Sequence, residues 1–355
     1  DYKASKRIVG TSAERTALNL SSPPATSWKE LGRATLSSTG DTITTGTFTA
    51  KDNIMFLTHY TGTATANHRF GNGTIDTGSN YAHRYSTNGG SDSTGTSKSN
   101  GIRTGYGTTN EHGFIVGSIT NQASSEKLLI CHLVNDNGST GAGNAPVRRE
   151  TVGKWANTSN QINIAQVNNS DSGSGDFASG SELVVLGCDN DEADSGTNFW
   201  QELVNSDASS GDHTATFTSK KYLLVEFYVE NSGSIQPELI LGSGGSIDTG
   251  NNYCTRYSQN GNSDGTRTSQ DSIESETNQS SPMYGKFFII NKSDKEKLTF
   301  GHWDYQGSAG AGTAPDRVEV TGKWVNTSAQ ANILGFKDAG SGSFGASTLK
   351  VWGAD

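Results

Sequence analysis

The sequence predicts an all-β fold: two tandem, homologous, jelly-roll-like antiparallel β-sandwich domains preceded by an extended N-terminal arm. Three observations support this prediction. The chain has 355 residues, which is enough for two ordinary domain cores. Short apolar runs alternate with clusters of Gly, Asn and Asp about every 8–12 residues, which is typical of β-sandwiches and predicts about eight strands per domain. One half of the chain also repeats the other.

Residues 1–27 lie outside the repeat and form the predicted arm. Their first part, "YKASKRIVGTSAER", is basic, and the Pro23-Pro24 pair that follows favours an extended, stiff backbone. Because "RIVG" has strand character, it could add to the edge of a partner's sheet. We therefore expect a docking arm, with a loose leader as the alternative. The expected docking residues are Lys6, Arg7, Ile8 and Val9.

Matched sequence blocks define the two domains. "GAGNAPVRRE" at 141–150 recurs as "GAGTAPDRVE" at 310–319, and "TVGKWANTSNQI" at 151–162 recurs as "VTGKWVNTSAQA" at 320–331. The first and last strands of the two copies align as well. The resulting boundaries are 28–189 for the first domain, 190–199 for a polar linker and 200–355 for the second domain.

Comparison of the copies separates the two faces of a strand. Val184 aligns with Lys350, whereas Leu183 and Val185 align with a leucine and a valine. Successive side chains of a strand point to opposite faces of the sheet. We therefore expect Leu183 and Val185 in the core, and we expect the face that carries Val184 to tolerate charge.

Composition limits the classes of partner. The net charge is −9, from 27 basic and 36 acidic residues, which argues against nucleic-acid binding because such proteins usually carry a basic stripe. No apolar run approaches the length of a membrane span, so no membrane partner is expected. The sequence has no phosphate-binding loop or nucleophile-elbow motif, and no cofactor is predicted. The three cysteines are expected to be small, unpaired residues of a protein folded in a reducing cytoplasm.

A repeated Asp-Thr-Gly motif raises the question of catalysis. "TIDTGSNY" at 74–81 returns as "SIDTGNNY" at 246–253, and pepsin-like aspartic proteases use two such motifs to pair two carboxylates that share a proton. The separation of Asp76 and Asp248 is close to the repeat length, however, so duplication alone explains it. Asn251 also replaces the expected Ser or Thr. We predict no catalytic residue. Asp76 and Asp248 instead cap hairpin turns in separate sandwiches, with a cation site at the turn as the alternative.

Two arginine–tyrosine groups, one per copy, are the candidate binding residues for a sugar or a neighbouring subunit. In a strand, the tyrosines of each group share one face and the arginine takes the other. The alternative is that each arginine pairs locally, with Asp92 or Asp264. The candidate residues are Tyr81, Arg84, Tyr85, Tyr253, Arg256 and Tyr257.

Tryptophans give two further expectations. Trp155 and Trp324 occupy the same position of the repeated "GKW" block and are expected to anchor the domain cores. Trp303 and Trp352 are expected at the surface, where exposed aromatic rings could contact a carbohydrate.

The histidines predict no metal site. Only His132 and His302 correspond between the copies, and no second ligand lies at metal-binding spacing from either of them. We expect both to be hydrogen-bonded histidines within strands.

Five segments are similar to repeat modules in structural proteins of marine tailed phages and related environmental viruses. They are "SKRIVGTSAERTAL", "ATSWKELGRATLSSTGDTI", "DTGSNYAHRYSTNGGSDSTGTS", "EKLLICHLVNDNGSTGAGNAPVRRETVGKWANTSNQI" and "SGDFASGSELVVLGCD". The resemblance covers nearly the whole chain and implies a non-enzymatic virion structural protein, a capsid decoration or a fibre component. It implies assembly in the host cytoplasm and a place on the virion surface. The implied partners are other copies of the chain, a major capsid or tail protein, and a host-surface glycan.

Three other functions are compatible with the sequence. One is a carbohydrate- or receptor-binding module that uses exposed aromatic residues. Another is the subunit of an extracellular filament, in which the arm completes the sheet of the next subunit. An aspartic protease comes last, because the motif that suggests it is explained by the duplication.

Overall fold

The computed structural model describes residues 28–107, 111–170, 176–189, 198–231, 233–275 and 278–355. Every regular element in these ranges is a β-strand, which confirms the predicted all-β fold. The predicted docking arm, residues 1–27, lies outside the described residues. The described ranges contain no helix able to cross a lipid bilayer.

Domain 1, residues 28–189, contains 13 strands among its described residues. They are β1 (Lys29–Thr35), β2 (Thr42–Thr44), β3 (Asn53–Gly62), β4 (Ala66–Asn72), β5 (Thr74–Ile75), β6 (Tyr81–Thr87), β7 (Ser93–Lys98), β8 (Ile102–Arg103), β9 (Glu111–Thr120), β10 (Lys127–Asn135), β11 (Val147–Trp155), β12 (Ile164–Asn169) and β13 (Glu182–Cys188). Eight form a large sheet in the order β1-β13-β3-β9-β10-β11-β6-β7. The other five form a small sheet in the order β2-β12-β4-β5, with β8 pairing β4.

Domain 2, residues 200–355, contains 12 strands among its described residues. They are β14 (Gln201–Ala208), β15 (His213–Thr216), β16 (Tyr222–Asn231), β17 (Pro237–Ser243), β18 (Ser246–Ile247), β19 (Tyr253–Gln259), β20 (Gly265–Gln270), β21 (Met283–Ile290), β22 (Lys297–Tyr305), β23 (Asp316–Trp324), β24 (Ile333–Asp338) and β25 (Phe344–Ala354). The large sheet has the order β14-β25-β16-β21-β22-β23-β19-β20, and the small sheet has the order β15-β24-β17-β18.

The two domains share one topology, except that β8 of domain 1 has no counterpart among the strands described in domain 2. Strands β10 and β11 of domain 1, for example, take the same places in the large sheet as β22 and β23 of domain 2. The neighbouring strands are antiparallel in both domains. The structure has more strands than the eight or so per domain that the sequence predicts, because two-residue strands such as β5 and β18 are too short to produce an apolar run.

Each domain has its own core between its large and small sheets. In domain 1, Leu183 and Val185 point inward with Trp155, as the repeat comparison predicts. In domain 2, Trp303 and Trp324 fill the equivalent core. Trp303 is only 2% exposed, so the expectation that it lies at the surface is wrong: its side chain points to the inner face of β22. Full burial of a large apolar side chain stabilises a fold by about 1.5–3 kcal/mol.

The outer faces of the two large sheets pack against each other and form the interdomain interface. Phe114 of domain 1 lies 6.1 Å, between ring centroids, from both Tyr222 and Phe300 of domain 2. Val184 is fully buried here, so the prediction that its face tolerates charge is wrong for domain 1, because domain 2 covers this face. Lys350, at the aligned position of domain 2, is partly exposed. The buried apolar residues of the interface are Leu57, Phe114, Val116, Val134, Val184, Leu186, Phe199, Trp200, Tyr222, Ile290, Leu298, Phe300 and Ala354.

Glu182 of β13 provides a polar link at the edge of this interface. Its carboxylate accepts hydrogen bonds from Lys221 Nζ at 2.6 Å and Tyr222 Oη at 2.7 Å, both in domain 2. Arg33 Nη1 of domain 1 donates a further bond at 2.9 Å. Burial would raise the pKa of Glu182, but the hydrogen bonds from Lys221 and the other donors outweigh burial and hold the pKa at about 2. The carboxylate therefore stays ionised and stabilises the contact between the two domains.

Candidate functional site

The repeated Asp-Thr-Gly motif forms a structural turn in each domain. Asp76 accepts hydrogen bonds from Trp155 Nε1 and from Gly78 N, both at 2.7 Å. Burial alone would raise the pKa of Asp76. The hydrogen bonds to the carboxylate outweigh burial, so the pKa lies below its ordinary value. Asp248 repeats the arrangement, with Trp324 Nε1 at 2.8 Å. The prediction of turn-capping carboxylates is confirmed, and these bonds hold each carboxylate to the core tryptophan of its own domain.

Replacing Asp248 with alanine is expected to destabilise domain 2 by about 1.5–3 kcal/mol, because Trp324 Nε1 loses its charged acceptor. Equilibrium denaturation followed by tryptophan fluorescence measures this change. Asp294→Ala removes a largely exposed carboxylate and serves as the control, with an expected change below about 0.5 kcal/mol. An Asp248→Ala protein as stable as the wild type would contradict the structural role of the turn.

Tyr81 and Tyr253 are core residues. They are 1% and 0% exposed, and their hydroxyls hydrogen-bond the backbone of Phe70 and of Leu241 respectively. The expectation that a ligand can reach these two tyrosines is therefore wrong. Tyr81 and Tyr253 are the first residues of β6 and β19, and their side chains point into the cores of domain 1 and domain 2. Trp352 is partly buried against the interdomain interface.

The remaining candidates of domain 1 lie near solvent but have local partners. Arg84 is paired with Asp92 at 3.2 Å, as the alternative interpretation predicts. The ring of Tyr85 is covered by the guanidinium of Arg149, whose central carbon lies 4.3 Å from the ring centroid. A second guanidinium, that of Arg103, lies 5.7 Å from the same ring. Tyr85 therefore already makes cation–π contacts within its own domain.

Of the equivalent candidates of domain 2, Arg256 contacts domain 1. Arg256 Nε donates a hydrogen bond to the backbone oxygen of Pro146, in domain 1, at 2.7 Å. Its guanidinium also lies 3.9 Å from Asp264. Tyr257 is partly buried, with the guanidinium of Arg267 at 5.9 Å from its ring centroid. In this copy the arginine thus pairs with Asp264, as the alternative interpretation predicts, and it also contacts domain 1 of the same chain.

Beside Arg84, the outer face of domain 1 carries an exposed apolar groove. Its floor is formed by Leu128, Ile130 and Val152, which are 56%, 60% and 49% exposed. The groove has a volume of about 470 Å³, and Lys154 is one of the residues that line it. Contiguous apolar surface of this kind is uncommon on monomeric proteins and usually marks an interaction site. Sequence reasoning missed the groove, although Leu128 and Ile130 do alternate with the core residues of β10.

The same positions of domain 2 are covered. Leu298 and Phe300, the counterparts of Leu128 and Ile130, are 0% and 5% exposed. Phe300 packs against Phe114 of domain 1, at 6.1 Å between ring centroids. One face of the repeat is therefore occupied in domain 2 and open in domain 1.

A loop of domain 1 completes this cover. We call residues 136–146, between β10 and β11, the covering loop. Gly141 N donates to Glu296 Oε1 at 2.5 Å, and Ser139 O accepts from Lys323 Nζ at 2.7 Å. Ala142 O accepts from the backbone nitrogen of Ser269 at 2.8 Å. These contacts bury Lys323 completely, so the loop is a fixed part of the domain 2 surface.

Domain 2 contains a copy of the covering loop. Its sequence, "GSAGAGTAP" at 307–315, nearly matches "GSTGAGNAP" at 138–146. All residues of this second loop are exposed. Among the described residues, domain 1 thus presents an open groove and domain 2 an exposed loop of the type that lies on the same face of domain 2.

The centre of the interdomain interface holds a charged group that we call the interface cluster. Arg148 Nη2 donates to Asp264 Oδ1 at 2.7 Å. Arg148 also donates to Glu150, and to Glu319 across the interface. Burial raises the pKa of Glu150 to about 7, helped by the hydrogen bond that it shares with Glu319. The members of the cluster are His132, Arg148, Glu150, Asp264, His302 and Glu319.

His132 and His302 meet in this cluster, with ring centroids 5.0 Å apart. Burial, together with the neighbouring His302, lowers the pKa of His132 to about 4. The prediction that both are hydrogen-bonded is wrong, because neither imidazole has a hydrogen bond to a residue in the described ranges. The repeat could have revealed the cluster, since the pairs His132/His302 and Glu150/Glu319 occupy matching positions in the two copies.

No family model matches the chain, and no curated protein matches it. Domains LG4-5 of the mouse laminin alpha1 chain are 9% identical, with 90% of this chain and 88% of that chain covered and a TM-score of 0.19. The PBSX exported protein XepA is 9% identical, with 91% and 86% covered and a TM-score of 0.17. The mavirus major capsid protein is 9% identical, with 99% and 93% covered and a TM-score of 0.15. Similarity at this level assigns neither a family nor an activity. The described architecture is that of a tandem β-sandwich, compatible with a structural or binding module.

Proposed function

We propose that this chain is a non-enzymatic structural protein of the virion surface, a capsid decoration or a fibre component that acts in multiple copies. The observation that carries the proposal is the open groove of domain 1 beside the covered, homologous face of domain 2. A surface that one domain fills within the chain is available for the same kind of contact between chains. The phage-like sequence segments described above support the virion location.

A second copy of this chain is the occupant that we propose for the groove. The argument is the contact already present within the chain, where the covering loop of domain 1 lies on the outer face of domain 2. The loop at 307–315 has nearly the same sequence and is exposed. It would lie against Leu128, Ile130 and Val152 of another copy, in a head-to-tail arrangement. Heterologous contacts of this type close into rings or extend as filaments.

Charge in the groove is expected to abolish this association. Ile130→Asp places a carboxylate on the apolar floor, and Ala311→Asp places one in the exposed loop. Each variant should reduce self-association at least tenfold, measured by sedimentation velocity over a range of concentrations. Thr49→Asp, at an exposed position of domain 1 outside the groove, is the control and should associate like the wild type. A monomeric wild type, or loss of association with Ile130→Asp but not with Ala311→Asp, would contradict a second copy as the occupant.

The virion location has its own test. Antibodies against the purified chain should label the surface of purified virus particles in electron microscopy. Recombinant chain that lacks residues 1–27 should keep its folded domains but should no longer bind particles stripped of the native protein, because the proposed arm contacts the major capsid or tail protein. Particles without label would overturn the proposed function, and full binding of the shortened chain would overturn the role of the arm alone.

A further inference from the structure

We propose that His132, Glu150 and His302 form a binding site for a divalent transition-metal ion at the interdomain interface. The first two residues lie on neighbouring strands of domain 1, β10 and β11, and His302 lies on β22 of domain 2. The ion would therefore join the two domains. This inference is independent of the proposed role in a virion.

The geometry of the three side chains fits a metal site. One potential ligand atom from each residue lies within 4.8 Å of the other two. Ligands of a tetrahedral zinc ion lie about 3.4 Å apart, given metal–ligand bonds of about 2.0–2.1 Å. The two imidazole rings are inclined at 73° rather than stacked flat. Small rotations of the side chains can therefore bring the ligand atoms from within 4.8 Å of one another to the separation that zinc requires. A small cavity of about 10 Å³ lies among these residues, close to the room that one water molecule or ion requires.

The donor set is chemically specific. Two imidazoles and a carboxylate suit zinc and similar transition metals, whereas calcium and magnesium prefer oxygen ligands alone. Both imidazoles are free of hydrogen bonds to residues in the described ranges, so their nitrogen lone pairs are not already engaged there. Glu319 lies beside Glu150 and offers a second carboxylate for the fourth position.

The charged groups around the site are already paired with one another, so an ion can bind only if Glu150 exchanges its partner. Three guanidinium groups, those of Arg148, Arg256 and Arg317, face three carboxyl groups, those of Glu150, Asp264 and Glu319. Arg148 has two bonds to Asp264 besides its bonds to the glutamates. It can therefore keep Asp264 as its partner while Glu150 turns to the metal.

Metal binding to the full chain tests the proposal directly. The protein is treated with EDTA, dialysed and titrated with zinc chloride by calorimetry, and with cobalt chloride by visible absorption. We expect one ion per chain and a cobalt spectrum of a four-coordinate centre. His132→Ala and His302→Ala each remove one ligand, from different domains, and should weaken zinc binding at least about tenfold, since loss of a group that only hydrogen-bonds a metal ligand already costs about 10–100-fold.

Two controls separate this site from other histidines. His83→Ala changes a histidine of the same large sheet outside the cluster and should bind zinc like the wild type. His112→Ala changes the other close histidine pair, His59 and His112, whose ring centroids are also 5.0 Å apart. Loss of binding in His112→Ala with full binding in His132→Ala would place the ion elsewhere and overturn the proposal.

Thermal unfolding provides the second readout. Zinc should raise the midpoint of the wild type and leave that of His302→Ala unchanged, because the ion holds the two domains together only when both contribute ligands. If an alanine variant does not fold, as judged by circular dichroism, Glu150→Gln takes its place in both measurements. Absence of zinc binding by the wild type would overturn the proposal. Equal zinc binding by all folded variants would also overturn it, because binding would then not depend on these three residues.

Discussion

Replacing Arg148 with methionine is expected to destabilise the interdomain interface by about 3–5 kcal/mol. The Arg148 side chain is 8% exposed, and its partners Asp264 and Glu319 are 2% and 7% exposed. Methionine fills much of the volume but leaves Asp264 with only the more distant Arg256, at 3.9 Å, and Glu319 with only the largely exposed Arg317. Loss of one partner of a buried ion pair costs more than the pair itself contributes, because the remaining charge stays desolvated. Chemical denaturation, followed by fluorescence and circular dichroism, measures the loss.

The repeat offers a matched control for this experiment. Arg317 occupies the same position of domain 2, but its side chain is 57% exposed. Arg317→Met should therefore change the free energy of unfolding by less than about 1 kcal/mol, because its guanidinium is largely solvated and Glu319 keeps Arg148 as a partner. The double variant Arg148→Met, Asp264→Asn should recover part of the stability, since it removes the negative charge of the buried carboxylate that has lost Arg148. Equal losses for the two arginine variants would show that burial of the charge does not determine the effect.

Acid is expected to destabilise the chain strongly, over the range from about pH 6.5 down to about pH 3. Burial lowers the pKa of His68 and of His112 to about 3, and it lowers the pKa of His59 well below its ordinary value of 6.5. These groups are neutral in the folded chain and take up protons on unfolding below pH 6.5. Their contribution is therefore complete above pH 6.5 and is lost as the pH falls. At pH 5 each costs about 2 kcal/mol relative to pH 7.

Two of these histidines lie near the interdomain interface, where we expect acid to weaken the contact between the domains. His59 and His112 of domain 1 face lysines of domain 2, among them Lys292 and Lys295, which lower both pKa values further. Protonation would place positive charges opposite these lysines. Glu150 opposes the trend, because its raised pKa lets the folded chain take up a proton near pH 7. We expect the net effect to follow the histidines, which are more numerous.

Guanidinium denaturation at pH 7.5, 6.5, 5.5 and 5.0 measures this dependence. The double variant His59→Gln, His112→Gln should show a slope against pH reduced by roughly a third, because the pKa values of the other histidines are lowered as well. His83→Gln removes a single group of this kind and should reduce the slope about half as much. Scattering at pH 5 should show the domains separating in the wild type before either sandwich unfolds. Stability that is constant from pH 7.5 to pH 5.0 would contradict the buried, neutral state of the histidines.

The repeat allowed much of the fold to be predicted from the sequence. Alignment of the copies identified the inner positions Leu183 and Val185, and the shared "GKW" block identified Trp155 and Trp324 as core anchors. The motif around Asp76 was correctly interpreted as a turn because its recurrence followed the repeat length. These features depend on local pattern and on the period of strands, which both copies express in the same way.

The interdomain interface could not be predicted in this way. The comparison of Val184 with Lys350 assumes that both copies have the same surroundings, but only the domain 1 residue is fully buried by its neighbour. Strand alternation likewise shows that Tyr81 and Tyr85 share a face but does not show which face is inner. His132 and Glu150 are separated in the sequence from His302, and only the packing of two sheets brings the three together.

Fusion of the two copies has a consequence for how the chain can evolve. In a symmetric homodimer every interface residue appears twice, so each substitution changes both sides of the contact at once. Here Leu57 and Val184 line the contact from one side, while the aligned Glu226 and Lys350 of the other copy carry charge. Each half can therefore acquire mutations that the other does not share. The chain is in effect a heterodimer encoded by one gene, and its two halves are no longer interchangeable.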